Sequence, residues 1–223
     1  MKDSFGRNID YMRISITDRC NLRCRYCMPN GVESLARSEI LSLEEIEAIA
    51  ICAASLGISR IKVTGGEPLV RRDCCQLVKL LKSIPGIEKV TITTNGVLLD
   101  RYLEPLIEAG IDGINISLDT LDPCMYERIT GFDRLAAVMK TIERSADLPV
   151  RIKINAVSID FSSMGGEDCH GPEGIWWKEL VELTSRYPVD VRFIEMMPIG
   201  YGRQFKTINH KDLLEEMHRE YPG

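Results

Sequence analysis

Six short strand-like runs, near residues 11–17, 59–64, 89–94, 113–118, 150–157 and 189–194, alternate with helix-forming stretches along this 223-residue chain. Consecutive parallel strands need a crossover long enough to hold a helix, so this alternation predicts an α/β domain with parallel strands. The helix signals are local. Ser42-Leu43-Glu44-Glu45 is a capping box, and Gly57 suits the far end of its helix. Asp73 can cap a second helix ended by Pro85-Gly86, and Asp100 a third ended by Gly110. Asp122-Pro123 puts proline in a first helical turn, where its missing N–H costs little. A further helix is expected from Trp176 to about Tyr187. Six β/α units in succession predict a partial (β/α)6 TIM-type barrel, read as a single domain over residues 1–223.

The strands also alternate with a period of two. Arg13, Ser15 and Thr17 oppose Ile14 and Ile16; Arg60, Lys62 and Thr64 oppose Ile61 and Val63. Thr91, Thr93 and Asn95 share a face, as do Asn115, Ser117 and Asp119, and Arg151, Lys153 and Asn155. Helices must cover the apolar faces, so the polar faces converge on the other side. An ordinary TIM barrel fills its lumen with branched apolar residues. Here the lumen is expected to be polar, with basic groups from three strands, as suits a large anionic ligand. An antiparallel sheet with one wet face would alternate in the same way, but the intervening helices favour the parallel arrangement.

Composition narrows the partners. A formal charge of -5 argues against a broad nucleic-acid or membrane surface while allowing a local basic pocket. Met1-Lys2-Asp3-Ser4-Phe5-Gly6-Arg7 has no apolar signal region and no later run is long enough to span a bilayer, so the cytoplasm is the expected compartment. In that setting eight cysteines read as metal ligands and core residues rather than disulfides.

Three of them carry the strongest chemical signal. Cys20, Cys24 and Cys27 follow the first strand in C-x3-C-x2-C spacing, at the end of the strand where barrel active sites gather. Iron–sulfur cubes are usually closed by four cysteines, so three thiolates leave one iron open to a ligand. Zinc is the alternative, and it would need a fourth ligand from elsewhere, whereas the histidines are His170, His210 and His218, all far downstream. One β/α unit later, Thr64-Gly65-Gly66-Glu67-Pro68 joins the second strand to its helix. Paired glycines let the backbone approach a ligand, their N–H groups can form an anion-binding concavity, and Glu67 offers an acceptor for an ammonium group. Alone, such a turn is only a connection.

Together these motifs resemble the radical S-adenosylmethionine superfamily, with Tyr26 as the aromatic before the last cysteine. The resemblance implies a 4Fe-4S cluster on Cys20, Cys24 and Cys27, and S-adenosylmethionine near Gly65, Gly66 and Glu67. It narrows to the GTP 3′,8-cyclase family through Arg13 to Cys24, Thr64 to Leu69 with Arg71-Arg72, Thr93-Thr94-Asn95-Gly96, Asn115 to Asp119, Lys153-Ile154-Asn155 and Arg192 to Gly200. By that resemblance, Tyr26, Gly66, Ser117 and Met197 match positions contacting S-adenosylmethionine; Arg13, Lys62, Thr93 and Lys153 match positions contacting GTP. Lys62 stands where the family often has arginine, which keeps the charge and loses the bidentate grip. The family resemblance further implies reductive cleavage to a 5′-deoxyadenosyl radical, removal of the ribose 3′ hydrogen of GTP, and attack of that carbon on C8 of guanine, the opening step of molybdenum cofactor biosynthesis. It also implies a flavodoxin or ferredoxin as reductant, the next enzyme of cyclic pyranopterin monophosphate synthesis as a partner, and a homodimer.

The chain departs from the family in two places. The 158–175 segment differs, and no C-x2-C with a distant third cysteine for a second cluster precedes Gly223. Cys52, with Ile49 and Leu56, is expected in the core, Cys74 and Cys75 near a helix start, Cys124 alone at another, and Cys169 at a loop surface. The chain as written is therefore expected to bind one cluster and S-adenosylmethionine, and to cyclise GTP poorly. A radical enzyme for another substrate and a non-catalytic metal or electron-transfer module are the alternatives.

Overall fold

The computed structural model describes residues 2–33, 35–160 and 176–222, so the 158–175 segment falls mostly outside the described residues, as does Cys169. Six strands form one sheet: β1 (Tyr11–Ser15), β2 (Arg60–Thr64), β3 (Lys89–Thr94), β4 (Gly113–Ser117), β5 (Ile152–Ser158) and β6 (Val189–Glu195). Every pairing is parallel and the spatial order is the chain order, β1 to β6. A doubly wound sheet reverses its strand order; one that always steps to the next neighbour winds toward closure as a barrel does. β1 and β6 remain edges of the sheet, so the barrel is open.

The helices form where the capping chemistry places them, with instructive exceptions. α1 (Leu43–Ser55) opens on the complete capping box of Ser42 and Glu45. α2 (Cys74–Ser83) starts after Asp73, whose carboxylate pairs with Arg71 at 2.7 Å instead of capping. α3 (Leu99–Glu108) begins two residues earlier than Asp100 suggests, and Asp100 ties Lys140 and Arg144 to its first turn. Asp122 caps α4 (Pro123–Thr130), accepting from Met125 N at 2.6 Å, and Gly131 ends it at φ 80°. The sequence reading missed α5 (Leu135–Ser145), which follows α4 within the same crossover. α6 (Trp176–Arg186) matches its expectation within a residue. α7 (His210–Glu220), also missed, packs on α6 through Trp177 and Lys178, which bond Glu216 and Glu220.

One face of each strand from β1 to β5 is dry. Ile14, Ile61, Val63, Val90, Ile92, Ile114, Ile116, Ile152 and Ile154 are buried against Leu77, Leu81, Leu103, Leu106, Val138, Ile142 and Leu180 of the helices. Two cysteine expectations are overturned. Cys52, Ile49 and Leu56 are exposed on the outer side of α1, because Ile46, Ala50 and Ala53 occupy the face turned to the sheet. Cys124 is not alone but disulfide-bonded. Cys74 is fully buried, with its thiol pushed up to about 12 chiefly by desolvation.

This contrast gives a stability prediction. Cys74→Ser places a hydroxyl among apolar side chains and is expected to cost about 1–3 kcal/mol. Cys52→Ser is expected within about 0.5 kcal/mol of the parent chain. Urea unfolding of both variants checks the difference.

Candidate functional site

The cysteine loop leaves β1 and is clamped against the β2 turn. Gly66 N donates to Thr17 O at 2.7 Å and Glu67 N to Arg19 O at 2.8 Å. A Cβ on Gly66 would lie 2.3 Å from Arg19 O, and one on Gly65 2.7 Å from Thr17 O. Only glycine fits where two backbones approach this closely. The N–H groups of Gly66 and Glu67 are therefore spent on the loop's own carbonyls.

Glu67 is tied down as well. It is 1% exposed, and its carboxylate accepts from Leu69 N at 3.0 Å, Thr94 Oγ1 at 2.7 Å and Asn95 N at 2.7 Å. Burial raises its pKa while these three donors oppose the shift. With these donors in place it ties the β2 turn to the end of β3.

Cys20 and Cys24 are half-buried and Cys27 is exposed. Desolvation is the largest cause of the upward pKa shift of all three thiols, and Cys24 is raised further by Asp119, Cys20 and Cys27. The thiols therefore lie within electrostatic reach of one another. Among the described residues no three His, Cys, Asp or Glu side chains close on a single metal ion. A cube distributes its ligands over separate corners, so three cysteines on one loop suffice for a cluster with one iron left open. Bound iron would hold these thiols as thiolates.

Beside Cys24 lies a small cavity lined in part by Tyr26, Asn95, Ser117, Asp119 and Tyr126. Tyr26 donates to Asp119 Oδ2 at 2.6 Å, and Asp119 Oδ1 accepts from Val157 N at 2.8 Å. Among the described residues, Tyr126 Oη is buried without a partner, and so is Asn155 Oδ1 on β5. Buried polar groups left unpaired at a concave site invite a polar ligand. The unpaired Tyr126 hydroxyl on this cavity and the three thiols of the loop fit a cluster and S-adenosylmethionine. Met197 stands apart: it is 66% exposed, two residues beyond β6, and is not among the residues lining this cavity.

Register aligns the polar face in rows. Arg13, Lys62 and Thr91 are neighbours across β1 to β3. Thr93, Asn115, Lys153 and Asp190 form the next row across β3 to β6, and Ser117, Asn155 and Arg192 a third. Desolvation and the charges of Arg13, Arg192 and Lys153 lower the pKa of Lys62, so these basic groups converge. Lys153 Nζ rests 2.8 Å from Asp190 Oδ2, which Arg151 also contacts at 2.9 Å. Sequence reasoning put Asn95 and Asp119 on polar faces without assigning a role, and had Arg192 only as the start of a family-like run. The alternation contained the signal for their direction, but not for which neighbours they meet.

Asp119 yields a pH prediction. Burial raises its pKa from 3.8 to about 6, against the opposing hydrogen bonds of Tyr26 and Val157. The folded chain thus holds this proton more tightly than the unfolded chain. Its contribution is fully present below about pH 4 and is lost as pH rises to about 6, on the order of 3 kcal/mol. Comparing metal-free parent and Asp119→Asn by urea unfolding at about pH 4.5 and pH 7 should show the parent losing stability relative to the variant on going up in pH.

Comparison with known proteins agrees with this geometry. The model of the Radical SAM superfamily matches residues 14–163. GTP 3′,8-cyclase of Clostridium perfringens (strain SM101 / Type A) is 41% identical over 221 residues, covering 99% of this chain and 65% of that protein. Molybdenum cofactor biosynthesis protein 1 of Drosophila melanogaster is 42% identical over 227 residues, covering 100% of this chain and 38% of that one. The chain thus spans less than two thirds of the length of these relatives. Streptococcus suis SuiB bound to S-adenosylmethionine shares the fold, with a TM-score of 0.74 at 22% identity over 95% of this chain and 47% of its own. Thiolate loop, glycine turn and open parallel barrel together place this chain in the radical S-adenosylmethionine superfamily.

Proposed function

We propose that this chain is the catalytic core of a GTP 3′,8-cyclase. The observation that carries the reading is the convergence of Arg13, Lys62, Lys153 and Arg192 on the polar face of the sheet that also presents Ser117 toward the cavity beside Cys24. Desolvation and then mutual repulsion lower the Lys62 pKa, and a triphosphate would relieve the repulsion. The names of the relatives supply the nucleotide. An electron donor of the flavodoxin or ferredoxin class and a cytoplasmic setting belong to the same proposal.

Each residue then has a physical task. Cys20, Cys24 and Cys27 hold the cluster, and Tyr26, Ser117 and the carbonyl side of Gly65-Gly66 border S-adenosylmethionine. Arg13, Lys62 and Lys153 take phosphate charge, while Thr93 offers a hydroxyl on the row it shares with Lys153. Drawing Lys153 toward phosphate does not strand Asp190, because Arg151 remains beside it. When bound, the reduced cluster and S-adenosylmethionine supply the 5′-deoxyadenosyl radical that removes the ribose 3′ hydrogen. The apolar walls and half-buried loop limit water there, which protects such chemistry.

Two predictions follow from these roles. Cys24→Ala is expected to lose most bound iron and reductive cleavage of S-adenosylmethionine, measured by iron assay and 5′-deoxyadenosine release. Retention of both would remove Cys24 from the ligand set. Lys153→Ala is expected to weaken GTP binding roughly tenfold while leaving S-adenosylmethionine binding within about twofold, as for loss of one charge-assisted contact. Equal losses for both ligands would count against a phosphate role. Anaerobic reaction with reductant, S-adenosylmethionine and GTP, with products identified by mass, tests the assignment as a whole.

A further inference from the structure

We infer that Asn95 is a positioning residue that sets the reduction potential of the cluster through Cys20, an inference resting on the reading of Cys20 as a cluster ligand. Asn95 follows β3 directly and is held at both ends. Its backbone N–H donates to the buried Glu67 at 2.7 Å, and its Oδ1 accepts from Val97 N at 3.1 Å. The second bond fixes which side of the amide is oxygen, so the NH2 group faces the cysteine loop. There Nδ2 donates to Asn21 Oδ1 at 2.7 Å and lies 3.9 Å from Cys20 Sγ. Leu22 N reaches the same sulfur at 3.5 Å.

Hydrogen bonds to a cluster sulfur stabilise its negative charge, and more so after reduction, so they raise the potential. The Leu22 donor is a local loop contact, as short cysteine loops provide. The Asn95 donor comes from another strand and is anchored through Glu67 to the turn that also clamps Thr17 and Arg19. Its orientation is therefore built into the barrel. Asn95 also lines the cavity with Cys24 and Ser117, so it borders both the sulfur and the space beside it.

The test compares anaerobically reconstituted parent, Asn95→Asp and Asn95→Ser by redox titration followed by electron paramagnetic resonance, with iron content and urea unfolding of the metal-free chains measured alongside. Asn95→Asp keeps the shape and the oxygen for Val97 N but replaces the donor with a charged acceptor. It is expected to make cluster reduction about tenfold less favourable, a fall of about 59 mV for one electron. Asn95→Ser also omits the amide and is expected to shift the potential in the same direction, about threefold, which carries the test if the aspartate disturbs the loop. An unchanged potential in either variant with its cluster loaded overturns the inference, even if unfolding shows lost stability. Cys20→Ala separates the two readings: full iron uptake by that variant would defeat the ligand assignment itself.

Discussion

The close contact between the cysteine loop and the glycine turn governs the rest of this structure. Two backbones meet there with no room for a side chain on Gly66, and two hydrogen bonds join Thr17 and Arg19 to the turn. Loops that bind metals are seldom ordered by their own residues. Here the ordering is supplied by β2, whose turn cannot move without disturbing the buried Glu67 carboxylate. Glu67 in turn holds Thr94 and Asn95 at the end of β3. Three successive strand ends are thus locked together by polar bonds within an apolar surround. Leaving any of these buried groups unpaired costs about 1–3 kcal/mol, which favours a single arrangement.

A second cost lies on the lumen face. Arg13, Lys62, Lys153 and Arg192 gather on a face where Asp190, 2.8 Å from Lys153, supplies counter-charge. Core packing on the opposite face must offset the repulsion, and it does so with nearly continuous branched apolar residues from β1 to β5. Separating these functions by strand face lets one sheet be both a dry core and a charged binding surface. Stability is drawn from one side and affinity from the other.

Much of this was legible in the sequence because the strand period is two and the helix signals are local. That Arg13, Lys62, Thr93 and Lys153 sit on polar strand faces follows from alternation, whereas the rows they form come from the register. The exceptions arose where tertiary contacts outweighed local signals. Asp73 and Asp100 look like caps, but each finds a cationic partner instead. Ile49, Cys52 and Leu56 share a helical face, yet the neighbouring face of α1 with Ile46, Ala50 and Ala53 meets the core. Glu67 shows a different limit. A carboxylate beside two glycines reads as a ligand group, and only the fold reveals that three donors already surround it.

The same limit explains why Asp119 and Asn95 gained roles only in three dimensions. Each lies just past a strand end on the polar face that alternation gives it, but alternation does not reveal that each meets the cysteine loop, from a different strand. Asp119 holds Tyr26, the residue between Cys24 and Cys27, while Asn95 reaches Asn21 and Cys20. The loop is therefore gripped near both ends of its cysteine run, by β4 from one side and β3 from the other. A loop fixed only through its metal would take its geometry from the metal. One gripped by two strands and clamped by a third can impose orientation on whatever it binds, which is what a site controlling a reactive intermediate requires.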